Sequence, residues 1–145
     1  MTTNTENQVE TTVKTKELPK YSEEVLAAVF DSLMFEGVYE EEFDIKGRLK
    51  VKLKSKSADE LNQIAREVDS SSFNLISTVQ QHRAFLAIVY GMVSYNNRDL
   101  SAVSVEERKK FVGKIPSPVV SLISDIVNEF DRKVDLACQD GEENF

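Results

Sequence analysis

Apolar residues first recur at helical spacing, where Val25, Leu26, Val29, Phe30 and Leu33 mark one face of a helix. Ser22 stands where a cap is needed, Glu23 and Glu24 suit the positive end of the helix dipole, and Gly37 ends the run, so the spacing predicts a helix over 22–35. The period then changes to two. Tyr39, Phe43 and Ile45 alternate with Glu40, Glu42 and Asp44, and after Gly47, Leu49, Val51 and Leu53 alternate with Lys50, Lys52 and Lys54. This is a β-hairpin over about 38–54 with one buried face. A two-residue loop at Lys46-Gly47 puts Phe43 opposite Lys50 and mixes the faces, whereas a loop of Lys46 to Arg48, or of Ile45 to Gly47, keeps them in phase. With the first, Ile45 meets Leu49 and Phe43 meets Val51 inside; Asp44 meets Lys50, Glu42 meets Lys52 and Glu40 meets Lys54 outside. Glu41 is the odd carboxylate on the inner side, expected either at the frayed end of the hairpin or as a buried acid.

Helical spacing then returns. Ser57-Ala58-Asp59-Glu60 has the form of a capping box, and Leu61, Ile64, Ala65 and Val68 carry a short helix to about Asp69. Ser70-Ser71-Ser72 breaks it. A long helix over about 73–95 follows, with Leu75, Ile76, Val79, Phe85, Leu86, Val89, Tyr90 and Val93 as a wide apolar stripe suited to the centre of the core. Asn96-Asn97 turns the chain. Ser104 to Glu107 has the form of a second capping box, for a helix that stops at Gly113, and Ser117 caps a last helix with Pro118 at its first position. Val119, Leu122, Ile123, Ile126, Val127, Phe130, Val134 and Leu136 give that helix its apolar face. The pattern is mainly α (α+β): about five helices with one antiparallel hairpin. It implies a flexible arm over 1–19, one domain over 20–138 and a polar tail over 139–145.

The net charge of −7 conceals a local division. From Tyr21 to Ile45 there are eight acidic residues and no Lys or Arg; from Lys46 to Lys56 there are six basic residues and no acid. An acidic whole disfavours general binding to nucleic-acid backbones. The basic run lacks aromatic residues for base stacking and faces an acidic strand that cancels much of its field. Lys50, Lys52, Lys54 and Lys56 are nevertheless candidate partner contacts.

Little else suggests chemistry. The single histidine, His82, has no second His and no Cys at ligand spacing. Cys138 is the single cysteine, which suits a reducing compartment, and the acidic residues after it disfavour a thiolate nucleophile. Nucleotide-binding glycine loops, nucleophile elbows and calcium loops are absent from the sequence, as are a signal-peptide pattern and a membrane-length apolar run. The expectation is a protein that is not an enzyme, with no cofactor or metal.

One resemblance extends this. Leu33-Met34-Phe35-Glu36-Gly37 leads into the strand Val38 to Ile45, then into Gly47 to Lys56 and Ser57-Ala58-Asp59-Glu60-Leu61. Further on, Phe85 to Val93 is followed by Asn96-Asn97-Arg98-Asp99-Leu100. This order, over about 28–101, resembles small bacteriophage proteins of the tail assembly chaperone and baseplate-hub assembly type. The resemblance implies a non-enzymatic assembly or virion structural protein acting in the host cytoplasm, or retained in the virion. Its implied partners are other phage tail or baseplate proteins, or further copies of the chain, with no membrane. The competing expectation is a small regulatory module whose basic strand takes a nucleic acid or acidic partner.

Overall fold

The computed structural model describes residues 20–70 and 75–143. The arm expected over 1–19, and Ser71 and Ser72 of the serine break, lie outside the described residues. The fold is mainly α with a small antiparallel sheet, the α+β class expected. The order is α1 (Glu23–Glu36), β1 (Glu40–Ile45), β2 (Leu49–Lys54), α2 (Ala58–Asp69), α3 (Ile76–Gly91), β3 (Met92–Tyr95), β4 (Arg98–Asp99), α4 (Val105–Gly113) and α5 (Ser117–Glu143).

Helices α1, α2 and α4 each begin at a capping serine. Ser22 accepts the Val25 N–H at 3.2 Å, and Gly37, at φ 80°, donates its N–H to Leu33 O at 3.1 Å, so α1 ends in a left-handed residue that glycine adopts without strain. Both halves of the Ser57–Glu60 capping box form. At α4 the serine half forms, Ser104 accepting the Glu107 N–H at 3.2 Å. Helix α5 starts at Ser117, with Pro116 O accepting the N–H groups of Val119 and Val120. Pro118 is therefore second rather than first in that helix, still among residues whose N–H has no acceptor within the helix.

The hairpin takes the Lys46–Arg48 loop and the in-phase register: Ile45 opposite Leu49, Phe43 opposite Val51, Asp44 opposite Lys50, Glu42 opposite Lys52 and Glu40 opposite Lys54. Asp44 accepts the Gly47 N–H at 2.8 Å across the loop.

Among the described residues the sheet has four strands in the order β1-β2-β3-β4, all antiparallel, not the two of a lone hairpin. Met92–Tyr95, expected as the end of a helix running to residue 95, is a strand that pairs with β2. An apolar run of this length satisfies either period. Strand β2 decides it, because its second edge would otherwise leave backbone donors and acceptors without partners beside the core. A bulge opposite Lys52 and Leu53 absorbs the extra residue where helix becomes strand. Asn96 and Asn97, at φ 46° and 70°, form the tight turn into β4. Asn96 Oδ1 also accepts the Lys50 N–H at 2.8 Å, and its own N–H reaches Lys50 O at 2.7 Å.

The inner face of the sheet, with Leu49, Val51 and Leu53, lies on Leu86, Ile88 and Val89 of α3 and Ile123, Val127 and Phe130 of α5, all buried. Leu75 and Ile76, expected in the central stripe, are 67% and 76% exposed. Helix α5 continues to Glu143, through most of the segment 139–145 expected as a polar tail, and residues 144–145 lie outside the described residues. No helix among the described residues is long and apolar enough to cross a membrane.

Candidate interaction surface

The basic strand makes most of its ion pairs inside the fold. Lys52 pairs diagonally with Glu40 at 3.2 Å. Lys54 Nζ donates to both Glu60 oxygens at 2.7 and 2.8 Å, tying β2 to the start of α2. Burial alone would raise the Glu60 pKa, but hydrogen bonds from Lys54 and Ser57 outweigh it and hold the carboxyl below its ordinary range. The Lys56 side chain is only 5% exposed; it lies against Gly91, where a Cβ would come within 3.1 Å of Nζ, and pairs with Asp131 at 3.1 Å. Lys56 is thus removed as a partner contact and Lys54 is largely taken up internally. Lys50 and Lys52 remain half-buried on the outer sheet face.

Glu41 occupies neither of its expected places. It is in the ladder opposite Leu53, half-buried, and its carboxylate pairs with Lys133 of α5 and accepts the Tyr39 hydroxyl at 2.8 Å. Lys133 is buried, with its Nζ 5.4 and 5.5 Å from the ring centres of Tyr21 and Tyr39. Burial, then the Glu41 carboxylate, pushes the Tyr39 phenol above its usual range. Burial, then Glu129, pushes Tyr21 up to about 12, while Arg132 donates to Glu129 at 2.7 Å and lowers that carboxyl. Tyr39 also stacks on Phe130 at 5.7 Å. These groups join the start of α1, β1 and α5 into one clamp. Their separation in sequence, up to 108 positions for Tyr21–Glu129, left no local signal by which to find them.

A second cluster joins α2, α3 and α4. Glu67 accepts the Tyr90 hydroxyl at 2.8 Å and pairs with Lys109, so hydrogen bonding to Lys109 overcomes burial and lowers Glu67, and raises Lys109 in turn. Arg108 donates to Val89 O at 3.1 Å. Both clusters hold helices together; neither leaves a nucleophile beside a base in an accessible cleft. His82 stacks on Phe85 with ring centres 6.5 Å apart, and Cys138 is exposed within α5. Among the described residues no group of three His, Cys, Asp or Glu is placed to hold a metal.

The concave regions of the described residues include two that border helices. A groove of about 440 Å³ between α2, α3 and α5 has Leu61, Ile64, Ala84 and Ala87 with Arg83 and Asp131 on its walls. A cleft of about 480 Å³ lies where the end of α1 meets the outer sheet face, lined by Ser32, Glu36, Val38, Tyr39, Glu40 and Lys52. Next to that cleft are the largest departures from ordinary burial on α1: Phe35 is 85% and Met34 62% exposed. Both fall off the helical stripe read from the sequence, which was the available signal that the core would not cover them. Comparison of the chain with protein-family models, with curated proteins and with solved structures finds no match.

Proposed function

We propose that this protein acts without catalysis, as an assembly or structural component of a bacteriophage tail or baseplate, by offering folded surface to other subunits in the host cytoplasm. The observation that carries the contact reading is the exposure of Phe35 and Met34 on an ordered helix. Burial of apolar surface yields about 25 cal/mol per Å². Two large side chains left in water contribute little of that to this fold and gain it only against another protein. The internal pairing of Lys52, Lys54 and Lys56 supports the same reading, since it leaves the basic strand little free charge for phosphates. The phage setting rests on the resemblance over about 28–101.

The test is a phage carrying an early stop codon in this gene. Heads filled with DNA beside missing or defective tails are expected. Normal infectious particles overturn the proposal, and a defect confined to gene expression moves support to the regulatory reading.

A further inference from the structure

The geometry points to the outer face of α1 as a docking surface for a basic amphipathic helix of a partner protein. This deepens the contact reading above and rests on it only for the existence of a partner. At about 100° per residue, Val25, Ala28, Ser32 and Phe35 fall within about 80° of arc on α1. Val25 is 41% and Phe35 85% exposed, and Ala28 is exposed between them. Val29, the buried residue of the helix, lies beside this stripe, so the stripe borders the face that α1 turns to the core.

Charge selects the occupant. Glu24 and Asp31 border the stripe on one side and Glu36 on the other, and no Lys or Arg occurs from Tyr21 to Ile45. The stripe runs through Ser32 and Glu36 into the cleft of about 480 Å³ that also holds Glu40 and the Tyr39 ring. Lys52 reaches Glu40 there at 3.2 Å from the sheet side, so Glu40 is already paired and the charge offered to a partner comes from Glu24, Asp31 and Glu36. A second copy in a two-fold contact would set Glu24, Asp31 and Glu36 against their own equivalents, and an anionic lipid surface or nucleic acid would meet the same repulsion. A helix with apolar residues at three- and four-residue spacing, flanked by Lys or Arg, matches both the stripe and its border. From Val25 to Phe35 the stripe is about 15 Å long, or about three turns of a partner helix. So small a contact gives weak, exchanging binding that is sensitive to salt.

The probe is a fluorescein-labelled peptide of about 18 residues, long enough to form a helix, with leucines on one face and lysines elsewhere. Its counterpart has glutamate for every lysine. Anisotropy titration against the full chain is expected to show binding of the lysine peptide alone, weakened several-fold when salt rises from about 50 to about 500 mM. Phe35→Ser should weaken it at least about tenfold while leaving the melting temperature unchanged, since the side chain contacts little of its own fold. Glu24→Lys with Asp31→Lys should shift preference toward the glutamate peptide. Equal binding of both peptides, no binding, or binding indifferent to Phe35→Ser overturns the proposal. Dimerisation of the free chain that Phe35→Ser abolishes assigns the face to a second copy and also overturns it. Peptide binding with normal particles from the stop mutant rejects the phage function and keeps the surface; a tail defect with no peptide binding does the reverse.

Discussion

Removing the Glu41 carboxylate, as Glu41→Gln, tests the clamp between the sheet and α5. Lys133 is 7% exposed and has Glu41 as its ion-pair partner, whereas the Glu41 side chain is 30% exposed and also accepts the Tyr39 hydroxyl. Breaking a buried pair from one side costs about 3–5 kcal/mol, because the remaining charge is stranded. Part is retained here, since the Tyr21 and Tyr39 rings each hold the ammonium by about 0.5–1 kcal/mol and water has access from the Glu41 side. The expected loss is about 2–3 kcal/mol, or about 6–10 °C in Tm for a chain of this size. Lys133→Met strands the better-hydrated partner and should cost only about 1 kcal/mol. The double variant should be nearly as stable as the parent, a coupling of at least about 1.5 kcal/mol. Urea unfolding followed by circular dichroism measures all three variants, with equal slopes confirming a two-state comparison. Additive losses, or a costlier Lys133→Met than Glu41→Gln, refute the reasoning.

Other consequences are open to the same assay. Acid should destabilise the protein: Glu60, Glu67 and Glu129 titrate lower folded than unfolded, so their stabilisation is present above the ordinary value of about 4.3 and is lost as pH falls through their folded values. Glu67→Gln should make urea midpoints between about pH 3 and 7 less steep in pH, and an unchanged slope counts against the Glu67–Lys109 contact. Asn97→Ala should cost about 1 kcal/mol and Asn97→Gly almost nothing, because the backbone there is left-handed; equal effects would exclude that turn. Ser57→Ala should cost about 1 kcal/mol through loss of the capping box, checked by its urea midpoint. On the outer sheet face, Glu40→Lys should cost no more than about 1 kcal/mol and be relieved by Lys52→Glu. If Glu42→Lys is relieved better than Glu40→Lys, the directly opposite pair dominates over the diagonal one.

What the sequence determined by itself was local. Ser22, Gly37, the Ser57–Glu60 box and Ser104 fixed helix limits because a cap acts within four residues of itself. The alternation on either side of Gly47 fixed which face of the hairpin is apolar, because a slip of one position would turn every apolar side chain outward; between the two loops that keep this phase, the folded chain takes Lys46–Arg48. Tertiary structure decided what lies between distant segments. Met92–Tyr95 became a strand because β2 had an edge to complete, a demand made by a segment some 40 positions earlier that no local period records. The carboxylates that take Lys54 and Lys56 depend on where α2 and α5 pass the sheet, as does the placing of Lys133 beside Glu41. On α1 the two levels divide: Phe35 and Met34 already lay off the apolar stripe in the sequence, whereas Val25 belonged to that stripe and only packing left it 41% exposed.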